Sequence, residues 1–348
     1  MAVAGPDPPE GRRMTGRRTS PVTERANAFV AARLPDARAL AEAVAALVDQ
    51  PDTLVRELED GLAALADPPY LDEVRRMTPG LRAAFGVRTP LLRPIHAALR
   101  RACRRRPDVA LWVAERLDRE PYLEVRLLAP TLLRLSLEPD PERSWQLIRG
   151  MARAADNWIA VDGLAGVAAL GILLESYRWS ELEQLVYAPS PWERRFVGST
   201  IASLPFEVVL EDRPRLAGGP ALELIGQLIG DADENVQKAL SWALRNWTRV
   251  DPAGVARFLD EQAARAASDA DGHRAWVVRD ALSALDAAQA ARLRALLAGL
   301  RRVPGAPATS SASAASAAFA DLIATGSIPA APRFAGAADH EPERSLTE

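Results

Sequence analysis

"DADENVQKALSWALRNW", residues 231–247, decides the fold. At 100° per residue, Val236, Leu240, Ala243, Leu244 and Trp247 fall on one apolar stripe, which predicts an amphipathic helix. Asp231 and Asp233 stand where capping and dipole chemistry start such a helix. Trp242 lies on the opposite side, with Lys238 four residues before it and Arg245 three residues after. The helix turns an aromatic ring and two cations away from its own core.

Outward from this segment the pattern stays helical and strand signals are absent. Short punctuators such as LPD, DQPD, RTP, RRRPD and SPW separate the segments. Strong helix starts fall near residues 120, 156, 190, 231 and 268, at intervals of about 34 to 41 residues. One helix pair per unit fits that period. The expected architecture is all-α, an α-solenoid of HEAT-like helix pairs over residues 23–302. The helices with unexpected outward residues are the second members of their pairs, so those residues should share one concave face. Residues 1–22 and 303–348 are rich in Pro, Gly, Ala and Ser. A stretch such as PGAPATSSASAASAA has little bulk to offset the entropy of ordering, so both ends are expected to be disordered.

Composition excludes several classes. No run of eighteen apolar residues exists, and the N-terminus has no apolar core of the kind a signal peptide needs. Cys103 is the only cysteine, which rules out an internal disulfide and suits a cytoplasmic protein. Three scattered histidines form no metal-ligand cluster, so neither a metal nor another cofactor is expected. The net charge of −3 argues against a generally basic protein, yet averages hide patches. Val74 to Pro107 holds ten arginines and no acid, a local basic surface that suits a phosphate backbone.

Two further helices repeat the anomaly. After Pro191, Val197, Thr200, Ile201 and Leu204 define a core stripe, while Trp192 and Arg195 lie one turn apart on the far side. Aromatic faces beside cations suit a nucleic-acid groove. The segment NWIAVDGLAGVAALGILL, 157–174, is apolar nearly all round, and Asp162 is its only charge. A carboxylate there needs either a partnered arginine or a cleft to face, and the cleft is the favoured reading. Trp158 sits one turn earlier on the same side. Ala165, Gly166 and Ala169 follow, small enough for another surface to approach.

The segments NWIAVD, WERRFVGSTIASL and NVQKALSWALRNWTRVDP, with the weaker FGVRTPLLRPI and VRDALSAL, resemble the AlkD-type DNA alkylation repair glycosylases. The likeness covers about residues 70 to 290, in order. It implies a HEAT-like solenoid whose basic concave face cradles duplex DNA, and excision of positively charged N3- and N7-alkylpurines without a cofactor. Carried over by motif, Trp158 and Asp162 match the family's Trp-x-x-x-Asp pair, and Trp242 the tryptophan of its QKA-x-x-W helix. These three are the expected catalytic residues. Arg195 matches the arginine three residues after the helix-start tryptophan. Arg195, Trp192, Lys238 and Arg245 are expected on the DNA, as are Arg194 and Arg88 within the same motifs. Met77 departs from the family, which often has tyrosine nine residues before the Gly of GVRTP.

The chemistry is consistent with these residues. Glycosidic cleavage passes through an oxocarbenium-like transition state that a nearby carboxylate stabilises. Alkylation already makes the purine a cationic leaving group, so no second acid is required. The resemblance implies that the lesion stays stacked instead of flipping, with the aromatic residues against the deoxyribose edge. The expected partner is double-stranded DNA containing alkylated purines, bound by a monomer. The alternative is a solenoid scaffold that binds DNA or protein without catalysis.

Overall fold

A computed structural model describes residues 20–327, and the first 19 residues of the expected N-terminal extension lie outside it. Among the described residues the chain is helical, with no strand beyond a single bridge between Ala83 and Tyr122. No helix there is long and apolar enough to cross a membrane.

The opening segment forms the helix Glu234–Trp247, and the residues of its apolar stripe are all buried. Asp233 caps it by accepting from the backbone N–H groups of Asn235 and Val236. The same grammar starts Trp158–Leu174, capped by Asn157, then Pro191–Glu207, capped by Ser190, and Gly272–Ala281, capped by Asp271. Proline takes the first turn of Pro51–Ala64, Pro107–Asp118, Pro141–Ala154 and Pro252–Ser268, where a missing N–H is harmless. The LPD punctuator is the exception. Pro35 sits inside Pro21–Ala45, and the helix runs through it on an exposed stretch where water can satisfy the orphaned carbonyl of Ala31.

The helices stack in two rows. In the first, Pro21–Ala45, Thr89–Cys103, Ala129–Ser136, Trp158–Leu174, Pro191–Glu207, Glu234–Trp247 and Gly272–Ala281 each pack on the next. In the second, Pro51–Ala64, Pro107–Asp118 and Pro141–Ala154 follow one another, and Arg178–Gln184, Ala221–Leu228 and Pro252–Ser268 back the later first-row helices. One continuous core, from Ala37 to Ala312, lies between the rows. Gly198 lets the next helix approach closely, since a Cβ added there would lie 2.9 Å from the Ala239 methyl. Pro191–Glu207 is consequently buried on more than its expected stripe, with Phe196, Ser199 and Ala202 enclosed as well. Ala165 and Ala169 are buried too, against the chain's own neighbouring helices instead of an outside surface.

The tail corrects the expectation for residues 303–348. Ser311–Ala324 is a helix that lies along Leu185–Tyr187 and Ala221–Leu228. Small side chains, unsuited to a core of their own, let it sit close to the body, and its hydroxyls find buried partners. Ser313 Oγ donates to Asp231 Oδ2 at 2.9 Å, and Ser316 Oγ to the Val186 carbonyl at 3.1 Å. Residues 328–348 lie outside the described residues.

Candidate DNA interface

The first turns of Trp158–Leu174, Pro191–Glu207 and Glu234–Trp247 converge on a cleft of about 660 Å³. Capping explains this placement, because each helix begins at a polar cap and so brings its first residues to the same rim. The side chains of Trp158, Trp192 and Trp242 are half-buried along the cleft, and its polar lining includes Asp162, Arg195, Glu234, Lys238 and Arg76. The fourth wall is the turn Met77 to Pro79.

Asp162 and Arg195 are joined in a two-point ion pair. Arg195 Nη2 donates to Asp162 Oδ2 at 2.7 Å and Nε to Oδ1 at 3.1 Å. Ser199, one turn beyond Arg195, donates its hydroxyl to Oδ1 at 2.6 Å. Arg195 Nη1 donates to the Asn235 carbonyl at 2.7 Å, so one guanidinium ties three helices together. The arginine side chain is 7% exposed and the aspartate 22%, so both line the cleft and the carboxylate is the more accessible member of the pair. Both sequence alternatives for Asp162 therefore hold together, since it has an arginine partner and it faces a cleft.

The Met77 turn is built from a distance. Trp158 Nε1 donates to the Met77 carbonyl at 3.1 Å, which holds the indole against the turn through the backbone. Glu124 is 4% exposed and accepts from the N–H groups of Phe85, Gly86 and Val87 at 3.0, 2.7 and 3.0 Å. Arg82 donates to Asp156 at 2.7 Å, next to the Asn157 cap of the Trp158 helix. Burial pushes the Asp156 carboxyl up, but the hydrogen bonds of Arg82 and Asn157 and the charges of Arg126 and Arg82 leave it below its ordinary value. Sequence reasoning passed over Glu124, Asp156 and Ser199. Only Ser199 carried a signal, as the residue one helical turn from Arg195.

Several expected DNA contacts are placed elsewhere. Arg194 is 8% exposed, donates to Asp231 at 2.7 Å and also caps the carbonyls of Ala188 and Pro189. It is a buried tie, since one residue's step from Arg195 turns it 100° into the core. Arg88 donates to the buried Asp67 at 2.6 Å and lies 4.7 Å over the Tyr70 ring, outside the cleft. Arg245 pairs with Asp280 beyond the cleft lining, and Lys238 pairs with Glu234 at 2.6 Å on the cleft wall. Among the described residues no cation lies over the ring of Trp192 or Trp242. In the Arg-rich stretch, acids distant in sequence meet Arg82, Arg88, Arg101 and Arg106. Arg75, Arg93, Arg100, Arg104 and Arg105 are exposed.

The family model for DNA alkylation repair enzymes matches residues 58–285, more than half of the chain and every residue of this cleft. The chain belongs to the DNA alkylation repair enzyme family. No curated relative and no solved structure matches it. Residues past Leu285, including the docked tail, lie outside the matched region.

Proposed function

We propose that this protein is a DNA glycosylase that hydrolyses the N-glycosidic bond of cationic N3- and N7-alkylated purines in duplex DNA. Asp162 carries the reading: of the two acids that line the cleft, Asp162 and Glu234, it is the one whose orientation Arg195 and Ser199 fix, beside Trp158 and Trp242. Water adds to the anomeric carbon as the glycosidic electron pair leaves with the purine. Alkylation has made that purine cationic, so it departs neutral and needs no proton. Asp162 stabilises the positive charge that develops on the sugar and accepts the proton of the attacking water.

Family membership supports duplex DNA as the partner, and the stacked rows support a HEAT-like solenoid. On that scaffold Trp158 and Trp242 press on the lesion nucleotide, with Trp192 beside them. Lys238 and the exposed arginines of residues 75–105 hold phosphates. Arg195 takes a different part from the phosphate contact expected of it. Two of its nitrogens donate to Asp162 and the third to the Asn235 carbonyl, so it positions the carboxylate.

One observation favours a second reading. A two-point ion pair is also how a solenoid without catalysis ties its helices, and such a scaffold would bind DNA and release no base. Incubation with duplex containing 7-methylguanine separates the two. The glycosylase reading requires free 7-methylguanine and an abasic site, and intact substrate after single-turnover incubation with excess protein contradicts it.

A further inference from the structure

Glu234 stands on the cleft wall, where a carboxylate would repel an incoming phosphate. Its two oxygens meet different cations. Oε1 lies 2.6 Å from Lys238 Nζ, and Oε2 lies 3.4 Å from Arg302 Nη2. Lys238 is the only lysine of the chain. Arg302 comes from beyond the family-matched residues and reaches the wall because its segment is pinned there. Gly272 has no side chain where the Arg301 carbonyl passes, and His273 Nε2 lies 3.3 Å from the Ala306 carbonyl. The guanidinium sits 5.2 Å over the Trp276 ring, and Nη1 donates to Gln237 Oε1 at 2.8 Å. Gln237 is itself fully buried, bonded through Nε2 to the Asp231 carbonyl and to His273 Nδ1.

We propose that Arg302 is a positioning residue for DNA binding, which takes over Glu234 when Lys238 leaves it for a phosphate. The inference rests on the duplex-DNA reading. Lys238 and Glu234 are both about half exposed, so their pair holds weakly and opens readily. Once Lys238 turns to the phosphate, an unattended Glu234 would pull it back and repel the DNA. Arg302 is held by Trp276 and Gln237 and cannot follow the phosphate, so it keeps the carboxylate neutralised on the outer side. The Lys238 hydrogen bond, working against burial and aided by the charges of Lys238 and Arg302, already holds the Glu234 carboxyl below its ordinary value. The carboxylate is thus ionised whenever DNA arrives.

The test is fluorescence-anisotropy titration of undamaged duplex over a range of salt, with thermal melts run on each protein. The proteins are the unaltered chain, Arg302→Gln, Arg302→Lys and the double variant Glu234→Gln/Arg302→Gln. In Arg302→Gln, Lys238 stays captured, so affinity falls about three- to tenfold and the log–log salt slope becomes shallower by about 0.9, one phosphate contact. Arg302→Lys keeps the charge and stays near the unaltered chain. Glu234→Gln/Arg302→Gln frees Lys238 and restores both affinity and slope. An unchanged slope in Arg302→Gln, or a deficit that the double variant does not restore, overturns the handover. A flat salt response of the unaltered chain is a separate result that overturns the DNA reading itself.

Discussion

Asp162 and Arg195 share two hydrogen bonds, at 2.7 and 3.1 Å, across the boundary between two neighbouring helices, and of the two the carboxylate is the more exposed to the cleft. This arrangement separates the roles of two adjacent arginines. Arg195 orients the acid, whereas Arg194 points into the core and binds Asp231.

Arg194→Ala leaves Asp231 buried without its cation, and breaking such a pair costs about 3–5 kcal/mol. Thermal or urea unfolding should show that loss. The salt slope of duplex binding should stay unchanged in the folded fraction, because Arg194 touches no phosphate. Lys238→Ala should do the reverse, with stability nearly intact and a slope shallower by about 0.9. A reduced slope in Arg194→Ala would return that residue to the DNA interface.

Glu124→Gln replaces a carboxylate that accepts three backbone N–H groups with an amide that offers one acceptor oxygen. Charge-assisted bonds of this kind are worth about 1.5–3 kcal/mol each, and at least one is weakened or lost. The midpoint of thermal unfolding should fall by several degrees. Hydrogen exchange at Phe85, Gly86 and Val87 should rise ahead of the global rate. Protection equal to that of the unaltered chain would show that the turn does not depend on Glu124.

Removing residues 304–348 should also lower the unfolding midpoint. Asp231 then loses the Ser313 hydroxyl, and the faces of Leu185–Tyr187 and Ala221–Leu228 lose their cover. Ser313→Ala alone should cost about 1 kcal/mol, the worth of one buried hydrogen bond. A truncated protein that melts with the full chain would mean that the tail helix contributes nothing.

Much of this was legible in the sequence, and the misses have physical causes. The stripe from Val236 to Trp247 and the Trp158–Asp162 pairing each lie within one helix, where spacing alone fixes direction. The partner of Asp162 lies on another helix, so spacing suggested an arginine without saying which. Arg194 and Arg195 differ by a single step of 100°, and Asp231, the acid that decides between them, lies 37 residues from Arg194. The ten arginines read as one basic surface because the acids that pair with four of them come from distant segments. The tail read as disordered because Ala and Ser bury little area, although small residues are what allow a helix to lie close to a finished core.

Stability should vary with pH through Glu59. Burial first, then the hydrogen bond and charge of Glu120, push its carboxyl from 4.5 to about 7, against the opposing charge of Arg116. The folded state binds this proton more tightly than the unfolded chain. The contribution is therefore complete below about pH 4.5 and is lost as pH rises through about 7. Glu59→Gln should flatten the fall in midpoint between pH 5 and pH 8 and raise the midpoint at pH 8. An identical pH profile in the variant would show that Glu59 is not the titrating group.

The most direct test of the proposed chemistry is single-turnover release of free base from 7-methylguanine duplex by Asp162→Asn, beside the unaltered chain, at a temperature where both remain folded. The asparagine keeps the shape of Asp162 and removes its charge. Release by the unaltered chain and a drop of roughly ten- to a thousandfold in the variant, with duplex affinity retained, is the expected result. A folded Asp162→Asn protein that releases base at the unaltered rate would contradict the role given to this carboxylate.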